Sequence, residues 1–142
     1  MSMRPRHAMP ILGLLLGSHV ASAVAGEPSV EVFTLSTLPV TNAQGASVYY
    51  LDAVALLEQH LSLNLPADPT QAQAMVTQRM AALGPQLHAR AQAGAAGLAR
   101  AAQLGVQRAP AIVFDGKWAV YGLTDVEAAR RTFSSRVPTT RR

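Results

Sequence analysis

The side chains able to carry out chemistry in this sequence are few, and their types exclude more than their positions do. There is no cysteine, which removes thiolate nucleophiles, thiolate metal sites and disulfides together. Of the four histidines, His7 and His19 lie in an N-terminal segment expected to be removed. His60 and His88 fall on separate expected helices, with no neighbouring carboxylate at the spacing a zinc site requires. Asp52, Glu58, Asp115 and Asp125 are the candidate carboxylates for general acid–base work. Each has a structural explanation: Asp52 as a helix cap, Asp115 in a turn, Glu58 facing solvent, and Asp125 offsetting the positive end of a helix. Ser36 and Thr37 sit after the first expected strand, where loops of α/β folds often hold ligands. No histidine lies near them in sequence and no Gly-x-Ser-x-Gly elbow surrounds them, so neither hydroxyl has an activating base. The sequence therefore predicts no catalytic residue, no metal and no cofactor.

The chain of 142 residues is 49% hydrophobic and 14% charged, a composition suited to one packed domain rather than to disorder. Residues 1–25 read as a signal peptide. Arg4 and Arg6 form a basic start, Met9 to Val24 is largely apolar, and Ala23-Val24-Ala25 offers a cleavage pattern that leaves Gly26 first. Pro10, Gly13 and Gly17 interrupt the run, and a membrane span needs about twenty apolar residues. The expected location is the periplasm, without stable membrane insertion once the signal is gone. Setting aside Arg4 and Arg6 lowers the formal charge from +4 to +2, and no basic stripe interleaved with aromatics points to nucleic acid. Residues 26–133 are expected to form the domain, and 134–142 a flexible basic tail.

Hydrophobic patterning places the elements. Val30 to Leu35 is β-rich and follows Pro28, so it predicts a strand. Ser36 to Ser47 holds Pro39, Asn42 and Gly45 and predicts a loop. A second strand, Val48 to Leu51, precedes a helix capped by Asp52, with Val54, Leu57 and Leu61 on its inner face. Asp68-Pro69-Thr70-Gln71 is a helix start. Apolar positions Val76, Met80, Leu83, Leu87, Ala91, Ala95, Leu98 and Ala102 then predict one buried stripe, interrupted at Gly84-Pro85. The small residues from Ala89 to Ala102 are read as close packing against the chain's own sheet. Asp115-Gly116 predicts a two-residue hairpin turn that sets Phe114 opposite Lys117 and Val113 opposite Trp118. Thr124 is expected to cap a last helix running to about Arg131.

The segment from Gly105 to Gly122, with Pro110 at the head of its first strand, resembles the corresponding part of a thioredoxin-like fold. That resemblance implies a single mixed sheet of about four strands in β-β-α-α-β-β-α order, with helices packed on it. Carried over, Pro110 takes the place of a cis-proline and Ser36-Thr37-Leu38-Pro39 the place of the redox motif. Two departures stand out: no Cys-x-x-Cys is present, and the first two strands lie too close in sequence for a full helix between them. Val30 to Thr34, Leu38 to Thr41, Leu65 to Pro69 and the hairpin resemble a family of exported integrating conjugative element proteins. This implies a non-catalytic accessory part of a conjugative type IV secretion system, whose partners are other proteins of that apparatus. The implied protein-binding groove comprises Ser36, Thr37, Leu38, Pro39, Ala109 and Pro110. The alternative reading is a cysteine-independent enzyme or a stand-alone peptide-binding or chaperone module.

Overall fold

The computed structural model describes residues 26–137. The expected signal peptide and residues 138–142 of the expected tail lie outside them. The elements are β1 (Val30–Thr34), β2 (Ala46–Tyr50), α1 (Ala53–Ser62), α2 (Pro69–Leu83), α3 (Pro85–Gln103), β3 (Ala111–Phe114), β4 (Trp118–Tyr121) and α4 (Val126–Arg136). Three helices separate the strand pairs: the interruption at Gly84-Pro85, compatible with two helices or one kinked helix, gives two, because Gly84 turns at positive φ and Pro85 starts a new helix, so the order holds one helix more than β-β-α-α-β-β-α. The strands form one mixed sheet in the order β2-β1-β3-β4. β1 runs parallel to β2 and antiparallel to β3.

Every residue of β1 is buried, because both faces of the sheet are covered. Val30, Val32, Ile112 and Phe114 form one core with Val126 and Ala129 of α4. Phe33, Ala111 and Val113 form the other with Ala101 of α3. An aromatic stack reinforces each: Phe114 on Phe133 at 4.6 Å, and Phe33 on Tyr49 at 5.1 Å. On the α3 face Glu31 would be an isolated buried carboxylate, but Arg100 holds it with two bonds of 2.7 and 2.8 Å. The same bonds, from the Glu31 side chain above all, raise the guanidinium's pKa above its ordinary value.

Parallel neighbours usually need about a dozen linking residues, most often a helix. Here the stretch 35–45 crosses without one and covers the α4 face itself, placing Val40 and Ala43 against the core. It is tied to the start of α4 by a bridge between Thr41 and Asp125, in which the Thr41 amide donates to Thr124 and the Val126 amide to Thr41. This bridge keeps Asp125 extended, so α4 begins one residue later than expected. Asp125, not Thr124, caps it by accepting from the Ala128 amide at 2.9 Å. The helix also runs on to Arg136, past the expected end near Arg131 and through the first residues of the expected tail.

The Asp125 cap makes a pH-dependent contribution to stability. The Ala128 amide first, and then the Asn42 side-chain amide, hold its carboxyl below the ordinary value of 3.8. A carboxylate with a lowered folded-state pKa stabilises fully above its ordinary value and loses that contribution as pH falls through the lowered one. Asp125→Asn keeps a capping acceptor but cannot titrate. The gap in melting temperature between the two proteins is therefore expected to narrow from about pH 5 to about pH 2. Parallel melting curves across that range would contradict this.

Two further expectations are corrected. The hairpin pairs Phe114 with Trp118, Val113 with Ala119 and Ile112 with Val120, one residue out of the expected register. Trp118 and Val120 therefore share a face with Phe114 and Ile112, not with Val113 and Ala111. Asp115 and Gly116 do take positive φ, but Asp115 exchanges backbone and side-chain bonds with Ser29, which extends the β1–β3 ladder. Pairing with β4 resumes only after Lys117. The buried face of α3 carries Gly94, Gly97 and Ala101, whereas Ala95 and Ala102 are exposed and Leu98 is 45% exposed.

Candidate functional site

The residues singled out in the sequence lie at one end of the sheet, where β1 finishes and β3 begins. The β1–β3 ladder pairs Phe33 with Ala111, so its continuation sets Thr34 level with Pro110. The Thr34 carbonyl accepts from the Leu51 amide at 2.9 Å. Beyond it, Leu35 to Leu38 form a turn closed by the Leu38 amide donating to Leu35 at 2.9 Å. The Thr34 hydroxyl donates to the Leu38 carbonyl at 3.3 Å. Ser36, Thr37 and Pro39 are exposed, and Leu38 is half-buried.

Asp52 holds this turn. Its carboxylate accepts from the Ser36 amide at 3.0 Å on each oxygen and from the Ser36 hydroxyl at 2.9 Å. The expected side-chain cap of α1 is not formed, although Asp52 does occupy the capping position. The cause is the parallel register. Val30 pairs with Ala46 and Thr34 with Tyr50, and the same offset brings Ser36 level with Asp52. The carboxylate that helix capping led us to expect on α1 is thus spent on the loop after β1.

Across from this turn, the Ala109–Pro110 peptide bond is cis, as the thioredoxin-like resemblance implied. The Pro110 carbonyl accepts from the Gly122 amide at 3.0 Å. Among the described residues, no backbone hydrogen bond outside the helices and the ladder engages Ala109. Arg108 stacks over the Tyr121 ring, 5.0 Å from its centre. The structure therefore brings all six groove residues to one end of the sheet, and adds Asp52, Arg108 and Tyr121 to it.

The Ser36 hydroxyl donates to a carboxylate, with no imidazole beside it in the bonding pattern. His60 instead lines a shallow hollow with Leu56, Leu57 and Arg90 between α1 and α3, while His88 is exposed on α3. Among the described residues no three His, Asp or Glu side chains gather where a metal ion would sit. No described helix is long and apolar enough to cross a membrane.

Fold and site together define a cysteine-free mixed α/β protein, with one four-stranded sheet, four helices, and a braced turn facing a proline-led strand. A family model described as a protein of unknown function (DUF1525) matches residues 27–136, and the chain belongs to that family. No curated protein and no solved structure matches it.

Proposed function

We propose that this chain is an exported, thioredoxin-like protein without catalytic activity that serves the conjugative type IV secretion system of an integrating conjugative element. It acts by binding other proteins of that apparatus. The observation that carries the reading is the end of the sheet itself: a turn fastened by Asp52 to Ser36 faces the backbone of Ala109 and Pro110, and among the described residues no backbone bond outside the helices and the ladder engages Ala109. A partner segment in extended form would find hydrogen-bonding backbone there without requiring any reactive side chain. The strand order β2-β1-β3-β4, with a proline leading β3, supports the thioredoxin-like reading. The basic and then apolar character of residues 1–25 supports export.

Deleting the gene in a strain carrying the element is expected to lower transfer frequency, and the wild-type gene supplied in trans to restore it. Asp52→Ala, which frees the Ser36 turn, is expected to restore it less well at equal protein level. The mature protein is expected in the periplasmic fraction with Gly26 at its start. Unchanged transfer on deletion removes the proposed role, and recovery from the cytoplasm with residues 1–25 intact removes export.

A further inference from the structure

The far edge of the sheet carries a second surface, independent of the role just proposed. β4 is an edge strand, and among the described residues no backbone bond reaches its outer side. An unpaired edge of this kind is a template for another strand. Beside it, on the α4 face, a cavity of about 460 Å³ opens between Trp118 and Val120 of the strand and Phe133 and Val137 of the helix end. Trp118 stands opposite fully buried Phe114, yet is itself 54% exposed. The indole therefore lines a groove along an open strand, apolar at Val120, Leu123 and Phe133 and polar at Thr132 and Arg136.

Charge indicates what fits there. Lys117 immediately precedes the strand, Arg108 lies over Tyr121 at its other end, and Arg136 lines the groove. The ion pairs among the described residues are Arg100–Glu31 and Arg130–Glu127, so none of these three cations is neutralised. The carboxylate nearest in sequence, Asp115, keeps its charge but is drawn by the amide and hydroxyl of Ser29 to the β1 side of β3, away from the outer side of β4. A second copy docked antiparallel, edge to edge, would bring Lys117 of one strand towards the Arg108 end of the other. Like charges opposed across strands disfavour that pairing, whereas an acidic segment meets the same positions with the opposite sign.

We propose that β4 accepts an extended acidic segment of a partner protein as a fifth strand. Alternate side chains point to opposite faces of a sheet. Apolar ones fill the groove between Trp118 and Phe133, and acidic ones on the other face meet Lys117 and Arg108.

Trp118 is the chain's single tryptophan, so its emission reports the groove directly. The test is a titration of the mature protein with an acetylated, amidated octapeptide alternating Val and Glu. Control peptides replace every Glu with Lys, or two Val with Pro. The expected result is a saturable blue shift with the Glu peptide, weakened about tenfold by Lys117→Glu combined with Arg108→Gln. The Lys and Pro peptides are expected to give none. No shift up to about millimolar peptide, or equal binding of either control, overturns the proposal. So does a protein dimer in sedimentation whose formation produces the same shift, since the occupant would then be a second copy.

Discussion

Replacing Phe114 with alanine is expected to remove about 3–5 kcal/mol of folding stability. The side chain is fully buried, lies among Val30, Val32, Ile112, Val126 and Ala129, and stacks on Phe133 at 4.6 Å with the rings 12° from parallel. It joins the central sheet to the helix that anchors the crossover loop, so the space left behind cannot be filled without moving α4. Domains of this size are stable by about 5–15 kcal/mol in total, and the loss takes a large share of that. Urea unfolding read by circular dichroism measures it as a lower midpoint at unchanged slope. Trp118→Ala, next to Phe114 across the hairpin but half-exposed, serves as the comparison and is expected to cost no more than about 1 kcal/mol. Similar losses for the two variants would mean that Phe114 does not occupy the position described.

That comparison also bears on how much of the molecule its sequence discloses. The strand from Val30, the helix start at Asp68-Pro69, the break at Gly84-Pro85 and the strand led by Pro110 are all local signals, and each stands where local chemistry puts it. What sequence did not disclose depends on pairing between distant segments. The hairpin is displaced by one residue because Asp115 belongs also to the ladder that continues towards Ser29, a bond the turn alone does not announce. The Thr41–Asp125 bridge moves the last helix cap from Thr124 to Asp125 for the same kind of reason. At the candidate site, the proline-led strand and the loop after β1 carry the six residues singled out in the sequence, and the ladder brings them to one end of the sheet. Asp52 reads in the sequence as a helix cap or a candidate acid–base carboxylate and not as the anchor of this turn, because its partner follows from the parallel register of β1 and β2. The Glu31–Arg100 pair is another long-range contact, joining the first strand to α3. A lone carboxylate alternating with Val30, Val32 and Phe33 was the available signal, since a strand buried on both faces must neutralise any charge it carries.

The inner face of α3 separates the two descriptions most sharply, because they predict opposite results for adjacent residues. The heptad-like stripe read from sequence runs through Ala95 and Leu98, whereas the structure turns Gly94 and Gly97 inward. A Cβ added at Gly94 would lie 2.8 Å from Val54 Cγ2, 3.2 Å from Ala53 Cβ and 3.2 Å from the Val54 backbone nitrogen. One added at Gly97 would lie 3.2 Å from Tyr49 Cβ. The glycines are thus there to let α3 approach α1 and β2, and the backbone nitrogen cannot move aside as a side chain can. Gly94→Leu is expected to cost about 3 kcal/mol, at the upper end of what overpacking does, despite leucine's better helix propensity of just under 1 kcal/mol. Ala95→Leu adds the same side chain one residue along, on the exposed surface, and is expected to change stability by no more than about 0.5 kcal/mol. Thermal or urea unfolding of the two variants decides between the faces. A neutral Gly94→Leu beside a damaging Ala95→Leu would rotate the helix back to the stripe its sequence suggests, and would remove the close contact with α1 on which the packing of this layer rests.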